Sequence, residues 1–327
     1  MDTEKYFLTT TGLTIGYSRG KRENRLFTDL NLTLEGGQMI CFMGPNGAGK
    51  SSLLRTLAGL QKPLSGLIHI HVPGSSAVTA TQIAVVLTER VNNLNLTVED
   101  IVTFGRYPYL GWNIKLTDKD KKAVRESIER IHLEPLLQKK VFELSDGQMQ
   151  LVMIARALAQ DTPIILLDEP TAHLDLNNRV EIMNLLRDLS RTTGKAILLA
   201  THELDLALQT ADLIWLTGKD RNILAGLPED LVLNGSFDQI FEFKGFDLKS
   251  GKVLHRPFRK IMVQLSGDGA PYLWTKNALE RNGFGISNAE QEISISLIQS
   301  MSGLVWSVRK GDIHSEVNSI EKLMKLL

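Results

Sequence analysis

A glycine-rich segment that ends in lysine and serine carries the strongest chemical signal in the sequence. Residues 44–51 read GPNGAGKS, directly after the apolar run Met39–Met43 and before a helical pattern. The backbone N–H groups of such a loop turn inward around a phosphate, and the N-terminal end of the following helix attracts the same anion. The segment therefore predicts a phosphate-binding loop between a strand and a helix. The residues predicted to contact the nucleotide here are Gly44, Pro45, Asn46, Gly47, Ala48, Gly49, Lys50, Ser51 and Ser52.

Two carboxylates follow a second apolar run, Ile164–Leu167. Asp168 and Glu169 therefore fall at the carboxyl end of a predicted buried strand, the edge where α/β proteins bind ligands. We expect Lys50 to bridge the β- and γ-phosphates of ATP, and Ser51 and Asp168 to hold Mg²⁺. We expect Glu169 to polarise the water that attacks the γ-phosphate. The predicted cofactors are thus ATP and Mg²⁺.

Strand-like and helical patterns alternate around these residues, which predicts a parallel sheet covered by helices. The strand-like runs of this part are Met39–Met43, Ile83–Leu87, Ile164–Leu167, Ala196–Ala200 and Leu213–Leu216. Helical periodicity lies between them, and each pair of chemical residues follows a strand directly. The sheet is therefore expected to hold the phosphate loop and the carboxylates at one edge.

Two regions depart from this alternation. Short alternating segments from Phe7 to about Leu34, broken by the polar cluster Ser18 to Asn24, predict an antiparallel β region. The pattern becomes helical from Thr97 to Leu137, with a charged and periodic stretch from Asp118 to Leu133. The predicted fold class is α/β, a mostly parallel sheet with an antiparallel β region and a helical insertion.

A stretch rich in Gly, Lys and Pro, roughly Phe246 to Pro257, predicts a linker. The residues after it show the order strand, helix, strand, strand, helix, and Asn318 and Glu321 form a predicted capping box on the last helix. We therefore predict two domains, residues 1–249 and a small α+β domain of residues 250–327. The expected role of the second domain is dimerisation or regulation.

The composition limits the classes of partner. Lys+Arg and Asp+Glu each total 37, so no overall basic field exists to hold nucleic acid, and none is predicted as a partner. The single cysteine, Cys41, lies inside an apolar run and has no partner for an intrachain disulfide. No stretch approaches the roughly 18 consecutive apolar residues of a membrane span. Membrane association is expected to depend on another protein.

The segment Leu144–Gln148, which reads LSDGQ, resembles the signature sequence of ATP-binding-cassette (ABC) ATPases. It precedes Asp168 by about twenty residues and opens a helical pattern. The resemblance extends over about residues 6–245 and implies a P-loop ABC nucleotide-binding domain. It also implies roles for three isolated residues: Tyr17 stacks on adenine, Asp175 lies in the loop after the acids, and His202 contacts the γ-phosphate and orients the attacking water with Glu169.

The resemblance implies a homodimer. Ser145, Gly147 and Gln148 begin a second helix whose N-terminal end can bind a γ-phosphate. In this family two copies pack head to tail, so each ATP lies between Lys50 of one copy and Ser145 of the other, as a two-fold axis requires. ATP is thus expected to hold the dimer together.

Two positions differ from the family pattern. Thr88 stands where family members usually carry a glutamine that senses Mg²⁺, and Glu89 follows it. A threonine hydroxyl is shorter, which leaves three alternatives for this proposed metal contact: water substitutes, Glu89 substitutes, or the coupling to the membrane subunit is looser. Asp146 stands where glycine is common, and we expect it to face solvent.

Residues 96–102 and 105–109 resemble the corresponding region of importers for iron–siderophore complexes, haem and cobalamin. The resemblance implies that this region meets the cytoplasmic loops of a separate polytopic permease. A periplasmic or lipoprotein solute-binding protein is then an indirect partner, and the chain is expected at the cytoplasmic face of the cell (inner) membrane. Two alternatives stay open: a soluble ABC ATPase that is not coupled to transport, and an ABC importer for manganese or zinc.

Overall fold

The computed structural model describes residues 6–19, 22–71, 79–87, 95–112, 114–243, 246–248, 251–253, 257–300 and 303–327. The chain divides into two compact units, Met1–Glu242 and Phe243–Leu327. Within the described ranges, no helix is both long and apolar enough to cross a membrane.

The first unit contains ten strands and eight α-helices among its described residues. The strands are β1 (Tyr6–Arg19), β2 (Arg22–Leu30), β3 (Thr33–Glu35), β4 (Met39–Met43), β5 (Ser65–Ile70), β6 (Ile83–Val86), β7 (Ile164–Asp168), β8 (Ala196–Ala200), β9 (Leu213–Thr217) and β10 (Ile223–Gly226). The helices are α1 (Lys50–Leu57), α2 (Val98–Thr103), α3 (Asp118–Ile131), α4 (Asp146–Ala159), α5 (Leu176–Thr193), α6 (Leu204–Thr210), α7 (Pro228–Leu233) and α8 (Ser236–Phe241).

A six-stranded sheet in the order β10-β9-β4-β8-β7-β6 forms the centre of this unit. All of its strands pair in parallel except β10, which is antiparallel to β9. Every residue of β4, β7 and β8 is buried, as expected for strands covered on both faces. The predicted parallel sheet is confirmed, and the phosphate loop and both carboxylates follow its central strands. Cys41, in β4, is fully buried.

A second sheet contains β2, β1 and β3 in that order, with β5 also paired to β1. All of these pairs are antiparallel, which confirms the predicted antiparallel region. The interruption predicted from Ser18 to Asn24 is narrower than expected, because β1 continues to Arg19 and β2 begins at Arg22, and residues 20–21 lie outside the described residues. Cross-strand backbone pairing maintains this exposed hairpin although its side chains are polar.

The predicted helical insertion is also present. It contains α2, a 3₁₀ segment at Phe104–Tyr109 and α3. Thr97 and Thr117 each begin a helix with a reciprocal capping box, which explains why both helices start where they do. These helices pack on α4, whose first turn carries the LSDGQ segment.

The second unit has its own core and its own mixed sheet. Its strands are β11 (Phe246–Asp247), β12 (Lys252–Val253), β13 (Met262–Ser266), β14 (Gly285–Ser287), β15 (Ile293–Ser300), β16 (Gly303–Lys310) and β17 (Ile313–Val317), and its helices are α9 (Gly269–Arg281) and α10 (Ile320–Leu326). Five of the strands form a sheet in the order β14-β13-β15-β16-β17. The other two pair with each other as a short hairpin.

Three predictions for this unit are wrong in detail. The stretch predicted as a linker contains the β11–β12 hairpin, and the sheet has more strands than predicted. Serines alternate with apolar residues in β15, so its pattern lacks a long apolar run. The cap of α10 is Ser319, whose side chain accepts a hydrogen bond from the Lys322 N–H, and not Asn318.

Candidate active site

The phosphate loop connects the central strand β4 to α1. Gly47 and Gly49 have φ angles of +77° and +100°, which favour glycine. A Cβ at Gly44 would lie 2.6 Å from the carbonyl oxygen of Thr217, at the end of β9. The loop therefore needs glycine for both its turns and its close approach to the neighbouring strand.

Lys50 lies at the first position of α1 and is only 6% exposed. Its Nζ donates hydrogen bonds to the carbonyl oxygens of Gly44, at 2.8 Å, and Pro45, at 3.2 Å. Burial lowers the pKa of Lys50, and the nearby carboxylates of Glu169 and Asp168 oppose that shift. The ammonium group is therefore held inside the loop. A bound anion there would stabilise its positive charge and oppose the effect of burial on its pKa.

Ser51 and Asp168 bring two oxygen atoms together. The Ser51 hydroxyl donates a hydrogen bond to Asp168 Oδ1 at 2.9 Å. Burial raises the pKa of Asp168, which the hydrogen bond from Ser51 opposes, while the charge of Glu169 raises it further. Mg²⁺ is usually held by one or two protein oxygens together with water and phosphate. This pair fits such an ion, and the described residues contain no larger cluster of His, Cys, Asp and Glu that would suggest an all-protein metal cage.

Glu169 directly follows β7 and has a φ of +51°. This left-handed backbone conformation is unusual for any residue other than glycine. Its backbone N–H donates to the Ala200 carbonyl oxygen at 2.9 Å, which fixes it against the end of β8. His202 follows β8, and its Nδ1 lies 3.5 Å from Glu169 Oε1. The structure thus places the two residues that the sequence predicts as catalytic side by side.

A further ion pair, which the sequence analysis missed, lies behind the histidine. Arg179 contacts both carboxylate oxygens of Glu203, at 2.9 and 3.0 Å, and donates from Nε to the Leu174 carbonyl oxygen at 2.7 Å. Glu203 Oε1 is 3.9 Å from His202 Nε2. The imidazole therefore lies between Glu169 and Glu203. Only the adjacency of Glu203 to His202 could have indicated this in the sequence, because Arg179 lies in another helix.

Tyr17 is close to the phosphate loop. Its hydroxyl lies 2.7 Å from the Oγ of Ser52 in α1, and the residue remains 53% exposed. An exposed ring beside a phosphate loop is compatible with the predicted contact to adenine.

The signature residues form a capped helix start. Ser145 is the N-cap of α4, and it exchanges hydrogen bonds of 3.2 Å with Gln148 in a capping box. A Cβ at Gly147 would lie 3.0 Å from the side chain of Asn178. Asn178 in turn donates to both carboxylate oxygens of Asp175, the N-cap of α5. Asp175 therefore lies near the signature segment, with Asn178 between it and Gly147.

Of the two positions that differ from the family pattern, the structure describes Asp146 but not Thr88. Asp146 is exposed, as predicted. Thr88, the third predicted metal ligand, lies outside the described residues, as does Glu89.

Comparison with known proteins decides the family. The chain is 37% identical to an uncharacterized ABC transporter ATP-binding protein of Methanocaldococcus jannaschii, over 80% of this chain and 92% of that protein. The chain belongs to the ABC transporter ATP-binding proteins. Residues 27–172 match the ABC transporter family model, and residues 259–327 match the model of the iron ABC transporter C-terminal domain. This ABC protein is therefore an ATPase that binds and hydrolyses the nucleotide.

Other relatives are named as ATP-binding proteins of transport systems. The achromobactin transport ATP-binding protein of Dickeya dadantii is 37% identical over 63% of this chain and 76% of its own length. A petrobactin import ATP-binding protein of Bacillus anthracis is 38% identical over 69% of this chain and 82% of its own length. A solved structure described as a metal-chelate type ABC transporter, in an inward-facing conformation, matches with a TM-score of 0.64 and 28% identity over 72% of this chain and 89% of that chain. The ABC ATPase thus shares its cassette fold with proteins of transport systems.

Proposed function

We propose that this ABC ATPase drives an importer for an iron–siderophore complex, with haem and cobalamin as related cargo classes. The observation that carries the proposal is the match of residues 259–327 to the iron ABC transporter C-terminal domain, in a chain whose relatives include achromobactin and petrobactin transport proteins. Residues 1–249 are the proposed ATPase domain, and residues 250–327 are the proposed accessory domain.

The geometry supports a division of roles around one ATP. Lys50 is buried in the loop and would contact the β- and γ-phosphates, which would replace its hydrogen bonds to the loop carbonyls. Ser51 and Asp168 would hold Mg²⁺, which neutralises phosphate charge when bound. Glu169 would accept the proton of the attacking water, and His202, 3.5 Å away, would orient that water.

A second copy would complete the site. The start of α4 is a helix N-terminus, which attracts anions, and Ser145 is exposed there. In the proposed head-to-tail homodimer each ATP lies between Lys50 of one copy and Ser145 of the other. A related cassette has been solved as a dimer in a post-hydrolysis state bound to ADP and Pi, at 27% identity and a TM-score of 0.56 over 68% of this chain and 98% of that chain.

An exposed aromatic surface supports a membrane partner. Tyr107, Tyr109 and Trp112 are 52%, 39% and 102% exposed in the middle of the helical insertion, between α2 and α3. Exposed aromatic clusters mark protein interfaces. We propose that this surface binds a polytopic permease, which places the ATPase at the cytoplasmic face of the inner membrane and makes a solute-binding protein an indirect partner. Nucleic acid is not a proposed partner.

Uptake and co-purification test the transport role. Cells that lack the protein are expected to lose uptake of radioactive iron given as a siderophore complex, and the natural chain should restore it. The natural chain should also recover a polytopic permease from detergent-solubilised membranes. Recovery without a permease would favour a soluble ABC ATPase, and a specific loss of manganese or zinc accumulation would identify a different cargo.

The variant Glu169→Gln tests the proposed base. The glutamine amide cannot accept the proton, so we expect ATP hydrolysis to fall by about 100- to 10,000-fold while ATP binding persists and the dimer accumulates. Phosphate release and sedimentation velocity with ATP measure the two effects. Glu181→Gln, on the exposed side of α5, is the matched control. Rapid turnover by the Glu169→Gln protein would contradict the assignment.

A further inference from the structure

The two edges of the five-stranded sheet in the second unit differ. β14 is three residues long and pairs in parallel. β17 is five residues long, and its antiparallel pairing with β16 runs without a bulge. Within the described ranges β16 is the only strand paired to β17. Proteins usually protect such an edge with lysine, proline or a bulge. β17 contains no lysine and no proline, and Glu316 is its one acidic side chain, so its open side can serve as a template for a strand of complementary charge.

The backbone groups on the open side belong to His314 and Glu316. The Gly311 N–H donates to the Glu292 carbonyl oxygen at 3.1 Å, so the odd-numbered residues at this end of β16 face β15 and the even-numbered residues face β17. Lys310 pairs with Ile313 across the connecting turn, and the alternation continues from that pair. The odd-numbered residues of β17 therefore bond to β16, and the even-numbered ones point their N–H and C=O groups outward.

Side chains alternate in the same way. Val317 belongs to the core under α9 and α10, and Ile313 lies on that face but is 67% exposed. His314 lies on the opposite face, where its Nε2 is 3.2 Å from Ser307 Oγ, and Glu316 shares that face. One face of the strand thus carries Ile313, Ser315 and Val317, and the opposite face carries His314 and Glu316.

Parity restricts how two copies of β17 can pair antiparallel. An outward-facing residue must lie opposite another outward-facing residue. Placing His314 opposite itself pairs two imidazoles, and placing Glu316 opposite itself pairs two carboxylates. Placing His314 opposite Glu316 of the second copy pairs an imidazole N–H with a carboxylate on one face. The same register sets Ile313 against Val317 of the second copy on the other face.

We propose that β17 pairs with β17 of a second copy of this chain, about a two-fold axis that passes beside Ser315. The register joins the two sheets into one and covers Ile313. The strand is self-complementary in both charge and apolar character, which is the observation that selects a second copy as its occupant. The contact uses no residue of the nucleotide site, so it forms in the absence of ATP.

Cross-linking of the full chain tests the register. In this pairing Ser315 lies opposite its own copy as a non-hydrogen-bonded pair, whose Cα atoms are about 4.5 Å apart, within the range that a disulfide spans. We expect nucleotide-free Ser315→Cys protein to form a covalent dimer on mild oxidation. Ser287→Cys, on the opposite edge strand, is the matched control and should stay monomeric on a non-reducing gel. The natural Cys41 is buried and does not interfere.

A charge exchange tests the contact in solution. In the His314→Glu dimer, both cross-copy pairs place one carboxylate opposite another. In the Glu316→His dimer, both pairs place one imidazole opposite another. Each variant should therefore raise the dissociation constant of the nucleotide-free dimer by about 10-fold. The double variant, His314→Glu with Glu316→His, restores the complementary pairs and should restore the dimer. Sedimentation velocity over a range of concentrations measures the dissociation constant of each nucleotide-free dimer, and circular dichroism checks that each variant is folded. A folded Ser315→Cys protein that fails to cross-link, or a dimer that none of these changes affects, would overturn the proposal.

Discussion

Asp120 and Asp168 are both buried carboxylates of the ATPase unit, yet their pKa values shift in opposite directions. Hydrogen bonds from Thr117 lower the pKa of Asp120, helped by Arg106, against the effect of burial. Burial raises the pKa of Asp168, and its hydrogen bond with Ser51 does not compensate. The folded chain therefore favours the charge of Asp120 and disfavours that of Asp168.

The surroundings of Asp120 explain its role. It accepts hydrogen bonds from the Thr117 N–H at 2.9 Å, the Thr117 hydroxyl at 2.6 Å and Arg106 Nε at 2.8 Å. Arg106, 2% exposed, also donates to the Ala159 carbonyl oxygen at 2.9 Å and lies 4.0 Å from the ring centre of Tyr109. This pair binds the insertion to the end of α4, so its charges serve architecture.

The surroundings of Asp168 have the opposite property. The carboxylate lies near Glu169, a like charge, in a place where burial opposes ionisation. The nearby cations Arg55 and Lys50 lower the pKa of Asp168 but do not offset burial. A divalent cation bound directly at the carboxylate would favour its charge. The comparison teaches that a buried carboxylate whose charge is stabilised by hydrogen bonds and a cation has a structural role. A buried carboxylate beside a phosphate loop whose charge is disfavoured indicates a ligand site.

The largest expected effect concerns the satisfied pair. Arg106→Met leaves Asp120 buried without its cation, so we expect the free energy of unfolding to fall by about 3–5 kcal/mol. This corresponds to a decrease in Tm of roughly 10 °C in a domain of this size. Arg125→Met, on the exposed side of α3, is the control and should leave Tm nearly unchanged. If Arg106→Met lowers the free energy of unfolding by less than about 1 kcal/mol, the structural role assigned to Asp120 is contradicted.

Lys50→Ala should have an intermediate effect, and on ligand binding in particular. Removal of a charged hydrogen-bond donor costs about 1.5–3 kcal/mol, so the Kd for Mg-ATP should rise by about 10- to 150-fold. Fluorescence titration with a labelled ATP analogue measures it. Lys62→Ala, at an exposed position beyond α1, should bind normally. Equal affinity of the two variants would contradict the phosphate contact.

The smallest expected effect is a gain in stability from Asp168→Asn. The folded state holds the pKa of Asp168 above the unfolded value of about 3.9, so its charge destabilises the nucleotide-free protein at pH 7. Asparagine keeps an acceptor for Ser51, and Tm should rise by about 2–4 °C.

The pH dependence identifies the cause of this gain. Because Asp168 becomes protonated as the pH falls through its folded pKa, the gain should shrink there and vanish below about 3.9. Thermal scans at several pH values measure it, with Asp205→Asn, an exposed aspartate of α6, as the control. A lower Tm at pH 7 would show that the charge stabilises the fold.

The sequence predicted those parts of the site that are contiguous in the chain. The phosphate loop and the pair Asp168 and Glu169 each follow a fully buried strand, so local patterns located them. Ser145 and Gln148 have the spacing of a capping box, which the structure contains. In each case the residues that matter are close together in the sequence.

Long-range pairs could not be predicted in this way. Arg106 with Asp120, and Arg179 with Glu203, come from different elements, and no spacing rule connects them. The strands of the second unit were undercounted for a related reason, because serines on one face of β15 weaken the apolar signal that its other face gives. Tertiary packing decided these features.

The buried thiol of Cys41 has a practical consequence. Burial raises its pKa above the usual range, so the sulfur stays protonated and unreactive while the central sheet is closed. It is the only cysteine in the chain. The rate at which a thiol reagent labels the natural protein therefore measures how often that sheet opens, and nucleotide or partners that hold the sheet closed should slow the labelling.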